Sequence, residues 1–532
     1  MKELLLTVDN LKLSFADKEV IKGISFKLYK GETFALVGES GSGKSLAALS
    51  VLRLHPSSAK IEADAIQLEA IDILRTPESK LCQVRGRRIA MIFQDPMSSL
   101  NPVMTIGQQI AEMIEIHFSL SNDAVQQRVL VLLAQVGIRE AERRIKEYPH
   151  QLSGGQRQRI MIAIALAGEP DLLIADEPTT ALDVTIQAQI LALLKQIQED
   201  NGMALWLISH DLALVSNMAD RVAVMQEGRI VEVAENKKIF TAASHQYTQK
   251  LLDALPDINH PAPEIKASDE LILKVTDFKV HYPIRKGLFK RVVGHVKAVD
   301  GVSFSLEKGK TLALVGESGC GKTSLGKGLL NLIPSTAGTV EFDGVDLATL
   351  SKRELREQRS AMQIVFQDPF SAMNPRMLVI DIISEGIRAL HQDIEPKQCV
   401  SIVSELLRQV ELDDSALYRY PHEFSGGQRQ RICIARALAV KPKLIVCDEP
   451  TSALDVSVQK QVIELLKHLQ QTQNISYLFI THNLAVVAEI ADDVAVMYQG
   501  KVVEYGAVDQ VLRHAKHAYT QELLSAVPVL LS

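Results

Sequence analysis

Short apolar runs alternate with amphipathic stretches along this chain. Thr33–Val37 and Thr311–Val315 are continuous apolar runs that lead into glycine-rich loops, a pattern typical of buried strands. Leu46–Leu54 is a predicted helix, and residues 104–145 carry apolar side chains at the three- and four-residue spacing of helices. Further buried strands are predicted at Leu172–Ala175 and Ala204–Ile208. This order predicts an α/β fold with a mostly parallel sheet core, an antiparallel β part and a helical subdomain.

The chain contains the same pattern twice. The segment LVGESGSGKS from Leu36 returns as LVGESGCGKT from Leu314, and DEPTTALDV from Asp176 returns as DEPTSALDV from Asp448. Matching motifs are separated by a nearly constant 272 to 278 positions. The repeat predicts two copies of one domain.

The boundary between the copies is predicted in a stretch with three prolines and no periodicity. We therefore expect a first domain over residues 1–255, a linker over 256–270 and a second domain over 271–532.

Composition narrows the class of protein. The chain has 532 residues, of which 47% are hydrophobic and 23% are charged, so sizeable cores are expected. A net charge of −6 argues against nucleic-acid binding. Apolar runs are too short to span a membrane, and the early acid of Met1-Lys2-Glu3 predicts no signal peptide. The five scattered cysteines predict no disulfide framework, zinc site or iron–sulfur cluster.

Two glycine-rich loops match the pattern that cradles phosphates. Each lies between a predicted strand and a predicted helix, so backbone N–H groups and the helix N-terminus can face an anion. Lys44 and Lys322 are expected to contact the outer phosphates, and Ser45 and Thr323 to hold Mg²⁺. The loops consist of Gly38, Glu39, Ser40, Gly41, Ser42, Gly43, Lys44 and Ser45, and of Gly316, Glu317, Ser318, Gly319, Cys320, Gly321, Lys322 and Thr323.

An acidic pair ends a buried strand in each copy. Asp176 and Asp448 are suited to a Mg²⁺ role, direct or through water, and Glu177 and Glu449 to a general base that polarises the attacking water. An Asp-Glu pair is usually a solvated turn. The strand context and the duplication favour the catalytic interpretation.

A glutamine and a histidine also end predicted strands in each copy. Gln94 and Gln367 could contact both a metal and a water, although glutamine there is more often only a strand end. His210 and His482 follow the acidic pairs by about 33 residues, and such a histidine is more often structural. Its recurrence in both copies favours a functional role.

Two further motifs leave alternatives open. A Ser-Gly-Gly-Gln segment opens a predicted helix in each copy, Arg157–Ala167 and Arg429–Ala439, and could bind an anion or simply cap the helix. Upstream of each phosphate loop, Phe15 or Tyr282 could stack on adenine or belong to the core. The four-residue segments are Ser153, Gly154, Gly155 and Gln156, and Ser425, Gly426, Gly427 and Gln428.

Together these motifs resemble the ATP-binding cassette (ABC) ATPases of the P-loop NTPase fold over nearly the whole chain. The resemblance implies two cassettes that meet head to tail and enclose two ATP molecules with Mg²⁺. It places the catalytic residues of each copy against the Ser-Gly-Gly-Gln segment of the other, and identifies Ala181–Asp183 and Ala453–Asp455 as D-loops. Because every hydrolytic residue is present twice, two active sites are expected.

Finer features are similar to the dipeptide/oligopeptide/nickel importer branch. These are FQDP, YPH before the Ser-Gly-Gly-Gln segment, and the elements His245-Gln246-Tyr247-Thr248 and His517-Ala518-Tyr519-Thr520. The fused layout most resembles the ATPases of microcin C/oligopeptide importers, and glutathione importer ATPases are also similar. The resemblance implies two integral-membrane permease subunits, an extracytoplasmic solute-binding protein, and a peripheral location on the cytoplasmic face of the inner membrane.

One alternative function and one open interpretation of a segment remain at this point. A soluble tandem cassette protein, such as a ribosome-associated translation factor, also lacks membrane spans, but the short proline-containing linker and the negative charge disfavour it. The basic segment 285–297, which the first copy lacks, is interpreted as a solvated β-hairpin or as a contact with a membrane surface or permease.

Overall fold

The structure is a computed structural model. Two cassettes of the same architecture follow each other along the chain. The predicted linker falls almost entirely outside the described residues. The structure describes residues 3–16, 18–180, 182–256, 270–286, 291–390, 394–452 and 454–527, without the side chain of residue 286.

The first cassette begins with antiparallel strands and continues as alternating strands and helices. Its elements are β1 (Leu4–Phe15), β2 (Lys18–Tyr29), β3 (Thr33–Val37), α1 (Lys44–Val51), β4 (Ala59–Glu62), β5 (Ala65–Leu68), β6 (Ile71–Asp72), α2 (Glu78–Val84), β7 (Ile89–Ile92), α3 (Pro96–Ser99), α4 (Ile106–His117), α5 (Asn122–Gln135), α6 (Ala141–Arg144), α7 (Gly154–Leu166), β8 (Leu172–Asp176), α8 (Val184–Asn201), β9 (Ala204–Ser209), α9 (Leu212–Met218), β10 (Arg221–Gln226), β11 (Arg229–Glu235), α10 (Asn236–Ala242) and α11 (Gln246–Asp253).

The second cassette repeats this order. Its elements are β12 (Leu271–Lys286), β13 (Arg291–Glu307), β14 (Thr311–Val315), α12 (Lys322–Leu329), β15 (Ala337–Phe342), β16 (Val345–Asp346), α13 (Lys352–Ala361), β17 (Met362–Val365), α14 (Val379–Leu390), α15 (Pro396–Gln409), α16 (Gly426–Leu438), β18 (Leu444–Asp448), α17 (Val456–Gln473), β19 (Ser476–Thr481), α18 (Leu484–Ile490), β20 (Asp493–Tyr498), β21 (Lys501–Ala507), α19 (Val508–Arg513) and α20 (Ala518–Ser525).

Each cassette has a mostly parallel central sheet. The strand orders are β11-β10-β3-β9-β8-β7 and β17-β18-β19-β14-β20-β21, with only the pairs β10–β11 and β20–β21 antiparallel. The central strands β3, β8 and β9 are buried along their whole length. They are apolar except for polar residues at their ends. The predicted α/β class is confirmed. The carboxyl ends of β3 and β8 meet at one edge, which positions the candidate site.

The additions to the central sheet are those expected from the pattern. A separate antiparallel sheet contains β1, β2, β4, β5 and β6 in the first cassette, and β12, β13, β15 and β16 in the second. Residues 104–145 form the helices α4, α5 and α6. Helix α7 starts three residues before the predicted Arg157, because Ser153 already caps it.

The antiparallel hairpin differs between the two cassettes. β1 and β2 pair as far as Phe15 and Lys18, whereas β12 and β13 continue to Lys286 and Arg291. The described parts of the basic segment, 285–286 and 291–297, belong to the longer hairpin, and residues 287–290 lie outside the described residues. Within the described ranges, none of the helices combines the length and apolar character needed to cross a bilayer.

Candidate active sites

The two glycine-rich loops wrap around a buried lysine. Lys44 Nζ donates to the carbonyl oxygens of Gly38 at 2.7 Å and Glu39 at 2.9 Å. Burial lowers the pKa of Lys44, although neighbouring carboxylates oppose this shift. In the second cassette, Lys322 Nζ donates to Gly316 O at 2.6 Å and to Glu317 O at 3.0 Å. Both ammonium groups are therefore held inside a loop that opens onto a helix start.

Glycine is required at the residue that precedes each lysine. Gly43 has φ of 104° and Gly321 has φ of 111°, a region that side chains with a Cβ rarely adopt. A Cβ at Gly321 would also lie 1.9 Å from the carbonyl oxygen of Ala298. The loop conformation is thus fixed by the chain itself.

A hydroxyl and a carboxylate meet beside each loop. Ser45 Oγ donates to Asp176 Oδ1 at 3.0 Å, and Thr323 Oγ1 donates to Asp448 Oδ1 at 3.0 Å. Both aspartates end a buried strand. Burial raises the pKa of Asp176 to about 6 and also raises the pKa of Asp448. A paired hydroxyl and carboxylate of this kind offer the oxygen ligands that Mg²⁺ prefers.

Glu177 lies at the centre of a cluster of polar side chains in the first cassette. Gln94 Nε2 and Thr180 Oγ1 each donate to Glu177 Oε2 at 2.8 Å. His210 Nδ1 lies 3.1 Å from Glu177 Oε1. The φ of Glu177 is 47°, in the left-handed region that residues other than glycine rarely occupy. The backbone at this glutamate is therefore held in a costly conformation, as is frequent at functional sites.

The charges in this cluster support one another. Burial would raise the pKa of Glu177, but the hydrogen bond and charge of His210 outweigh it and lower that pKa to about 2. Burial likewise opposes protonation of His210, but Glu177 outweighs it and raises the pKa of His210. Glu177 is consequently ionised at neutral pH.

The second cassette contains the same cluster. Gln367 Nε2 donates to Glu449 Oε2 at 3.0 Å, and His482 Nδ1 lies 3.3 Å from the same oxygen. Although burial acts in the opposite direction, His482 lowers the pKa of Glu449. The φ of Glu449 is again 47°. The structure thus brings the predicted glutamine, glutamate and histidine together in both copies.

The Ser-Gly-Gly-Gln segments open helices α7 and α16 through reciprocal hydrogen bonds. Ser153 Oγ accepts the Gln156 N–H at 3.3 Å, and Gln156 Oε1 accepts the Ser153 N–H at 3.0 Å. The corresponding distances for Ser425 and Gln428 are 3.3 Å and 3.1 Å. The serine therefore caps its helix, which was one of the two alternatives. Anion binding at these helix starts stays a prediction.

The two candidate adenine-stacking residues differ in their surroundings. Phe15 is half-buried and packs in part against the apolar core of the first cassette, which leaves both alternatives open. Tyr282 is 41% exposed on the longer hairpin, and its hydroxyl donates to Ser324 Oγ at 3.2 Å near the start of α12. The ring of Tyr282 is thus more open than that of Phe15, and stacking on adenine stays a prediction for both.

Each phosphate loop is also bound by the opposite cassette. Ser40 donates its N–H and its Oγ–H to Asp455 Oδ1, at 2.7 Å and 2.8 Å. In the same way, the N–H of Ser318 donates to Asp183. These aspartates belong to the predicted D-loops, of which Ala181 and Ala453 lie outside the described residues. The two cassettes therefore meet at their loops.

A second contact across the same interface was missed at the level of sequence. The carboxylate of Glu39 accepts a hydrogen bond from Ser457, and that of Glu317 accepts one from Thr185. Ser457 and Thr185 follow the two D-loop aspartates by two residues. Their only sequence signal is this equivalent position in the two repeats.

Comparisons with known proteins agree with this geometry. The family model described as ABC transporter matches residues 21–180 and 299–452. The chain belongs to the ABC transporter ATPase family. A model for the C-terminal region of oligopeptide/dipeptide transporters matches residues 231–276 and 503–531. This ABC chain therefore contains two cassettes, each followed by the same type of C-terminal region, and it is an ATPase.

Three similar proteins align with nearly the whole of this chain. The chain is 48% identical to the "Peptidoglycan transport ATP-binding protein YejF" of Agrobacterium fabrum, over 98% of this chain and 96% of that protein. It is 47% identical to an uncharacterized ABC transporter ATP-binding protein, YejF, of Escherichia coli K12, over 99% of this chain and 100% of that protein. It is 45% identical to the "Glutathione import ATP-binding protein GsiA" of E. coli O157:H7, over 98% of this chain and 89% of that protein.

Proposed function

We propose that this chain is the energy-coupling ATPase subunit of an importer for peptides or peptide-like solutes of the microcin C/oligopeptide type. Support comes from the match of both C-terminal regions to the oligopeptide/dipeptide transporter model. Relatives named for peptidoglycan transport and glutathione import, at 48% and 45% identity over nearly the whole chain, point to the same class of solute. ATP hydrolysis drives the import cycle.

One geometric observation carries the proposal of two composite ATP sites. Each phosphate loop donates hydrogen bonds to an aspartate of the opposite cassette, Asp455 for Ser40 and Asp183 for Ser318. Each site in this proposal therefore needs both cassettes. The first cassette's loop pairs with the helix start at Ser425–Gln428, and the second cassette's loop pairs with Ser153–Gln156.

Within each site, the residues have distinct tasks. The loop N–H groups and the lysine bind the phosphates, and an aromatic ring, Phe15 or Tyr282, stacks on adenine. Asp176 with Ser45, and Asp448 with Thr323, would hold Mg²⁺ together with Gln94 or Gln367. Bound Mg²⁺ neutralises charge that develops on the phosphates during hydrolysis.

The glutamate after the strand aligns and polarises the attacking water. Glu177 is ionised and is held by Gln94 and His210, so its carboxylate points in a fixed direction. The glutamine is a predicted metal ligand and also donates a hydrogen bond to the glutamate, so it links ATP occupancy to the orientation of the base. Glu449, Gln367 and His482 perform the same steps in the second site.

The chain would act on the cytoplasmic face of the inner membrane, bound to two integral-membrane permease subunits. An extracytoplasmic solute-binding protein would capture the solute, and no nucleic acid would be involved. The alternative of a ribosome-associated tandem cassette protein is disfavoured because the C-terminal regions match a transporter model. A glutathione importer ATPase is the second candidate, since GsiA is 45% identical.

Affinity purification from membranes tests the proposal. We expect the tagged chain to co-purify with two hydrophobic subunits, and its ATPase activity in proteoliposomes to rise on addition of a peptide-loaded binding protein. A double variant, Lys44→Ala with Lys322→Ala, serves as the control without phosphate binding. Sedimentation with ribosomes in place of the hydrophobic subunits would refute the importer, and stimulation by glutathione but not by longer peptides would favour the second candidate.

A further inference from the structure

The His-x-Tyr-Thr element of each cassette is hydrogen-bonded to an earlier strand, β11 in the first cassette and β21 in the second. In the second cassette, Glu504 on β21 accepts the N–H groups of Lys516 at 2.8 Å and His517 at 3.2 Å. His517 Nδ1 then accepts the N–H of Tyr519 at 3.2 Å and caps helix α20. The first cassette has the same arrangement, with Glu232 and His245 in the corresponding places. The position of the tyrosine is therefore fixed by the element itself.

The fixed tyrosine reaches the phosphate loop of its own cassette. Tyr519 is only 6% exposed, and its hydroxyl accepts the backbone N–H of Glu317 at 3.0 Å. Its ring packs against Tyr498 with the centroids 4.3 Å apart. Glu317 is the second residue of the glycine-rich loop. The C-terminal region thus has a direct hydrogen bond to a loop proposed to bind phosphates.

The same loop residue is the one that meets the opposite cassette. The side chain of Glu317 accepts a hydrogen bond from Thr185 on α8, and the next N–H, that of Ser318, donates to Asp183. Helix α20 also lies against α8, and Leu523 of α20 lines a small cavity together with Asp183. Glu317 is therefore held through its backbone N–H by Tyr519 and through its carboxylate by Thr185 of the opposite cassette.

We propose that Tyr519 is a positioning residue that fixes the Glu317 peptide so that the Glu317 carboxylate can bind Thr185 when the cassettes close. The C-terminal element thereby controls closure at the second phosphate loop without touching ATP. Tyr247 occupies the corresponding place in the first cassette, near Glu39, the partner of Ser457. Its buried hydroxyl makes no hydrogen bond to the described residues, so the proposal concerns the second cassette. The interface beside α11 of the first cassette has a further link, since Lys460 Nζ donates to Asp253 O at 2.8 Å.

The test compares Tyr519→Phe with Tyr505→Phe in the purified full-length chain. Each variant removes one hydroxyl with a 3.0 Å hydrogen bond to the backbone, but Tyr505 binds Ser305 O on the antiparallel sheet. We expect Tyr519→Phe to lower kcat for ATP roughly 2- to 10-fold, the effect of one lost hydrogen bond, with an unchanged Kd for ATP. Tyr505→Phe is expected to change neither quantity.

A double-mutant cycle separates positioning from general loss of structure. Tyr519→Phe and Thr185→Val act through the same residue, Glu317, so their effects on kcat are expected to be non-additive. Tyr519→Phe and Ser457→Ala act on different phosphate loops and are expected to be additive. Additive effects in the first pair, equal effects of Tyr519→Phe and Tyr505→Phe, or a change in Kd alone would overturn the proposal.

A second variant covers the case in which Tyr519→Phe does not fold. Glu504→Gln weakens the hydrogen bonds from Lys516 and His517 that hold the start of α20, and it leaves Tyr519 intact. It should therefore lower kcat and again be non-additive with Thr185→Val. Additivity in this pair would refute the role of the C-terminal element. The assay uses ATP alone, so its failure would leave the proposed transport of peptides untouched.

Discussion

Replacement of one catalytic glutamate at a time tests whether both ATP sites hydrolyse. Glu177→Gln keeps the size of the side chain and removes the negative charge that would polarise water. Loss of a general base costs typically 10²- to 10⁴-fold, or about 3–5 kcal/mol of transition-state stabilisation. We expect this loss at the site that contains the substitution.

The structure predicts that Glu449→Gln has the same effect. Gln94 lies 2.8 Å from Glu177, and Gln367 lies 3.0 Å from Glu449, while the histidine distances are 3.1 Å and 3.3 Å. Both glutamates share the backbone φ of 47°. If the sites act independently, each single variant retains about half of the activity and the double variant about 1% or less. If the sites are strictly coupled, both single variants lose activity equally.

Phosphate release at saturating ATP and Mg²⁺ measures the outcome, with thermal unfolding as a check on folding. Glu112→Gln on the exposed surface of α4 is the matched control and should retain full activity. One single variant with unaltered activity beside another with none would refute the equivalence of the two sites.

Three further predictions follow from individual contacts. Asp455→Ala removes two charge-assisted hydrogen bonds from Ser40, each typically worth about 1.5–3 kcal/mol, and should lower kcat by more than tenfold. Asp455→Asn keeps a hydrogen-bond acceptor and should lower kcat less. Equal rates of the two variants would contradict this prediction. Burial raises the pKa of Asp492 to about 6, so the folded protein binds this proton more tightly than the unfolded chain. The contribution of Asp492 to the free energy of unfolding therefore falls as the pH rises from about 4 to 6. Unfolding in urea should show that the wild type loses stability over this range relative to Asp492→Asn. Tyr282→Ala should weaken binding of a fluorescent ATP analogue at one site roughly 2- to 10-fold, whereas Tyr282→Phe, which keeps the stacking ring, should bind like the wild type.

The local pattern of the chain determined the fold class and most of the candidate site. Continuous apolar runs predicted β3 and β14 with their correct ends, because a strand buried on both faces needs apolar residues throughout. The glycine loops, the acidic pairs and the strand-end glutamines and histidines could be found because each motif occurs twice in the same order. The start of α7 was predicted three residues late, since the capping role of Ser153 depends on reciprocal bonds with Gln156.

Only the tertiary structure decided which residues meet across the two copies. The bonds of Glu317 to Thr185 and of Tyr519 to the Glu317 N–H join positions 132 and 202 residues apart, and no local periodicity can encode such a distance. The different surroundings of Phe15 and Tyr282 likewise depend on how far each hairpin extends beyond its sheet. Local sequence selects strands, helices and loops through backbone and burial preferences, whereas contacts between distant residues depend on how those elements pack.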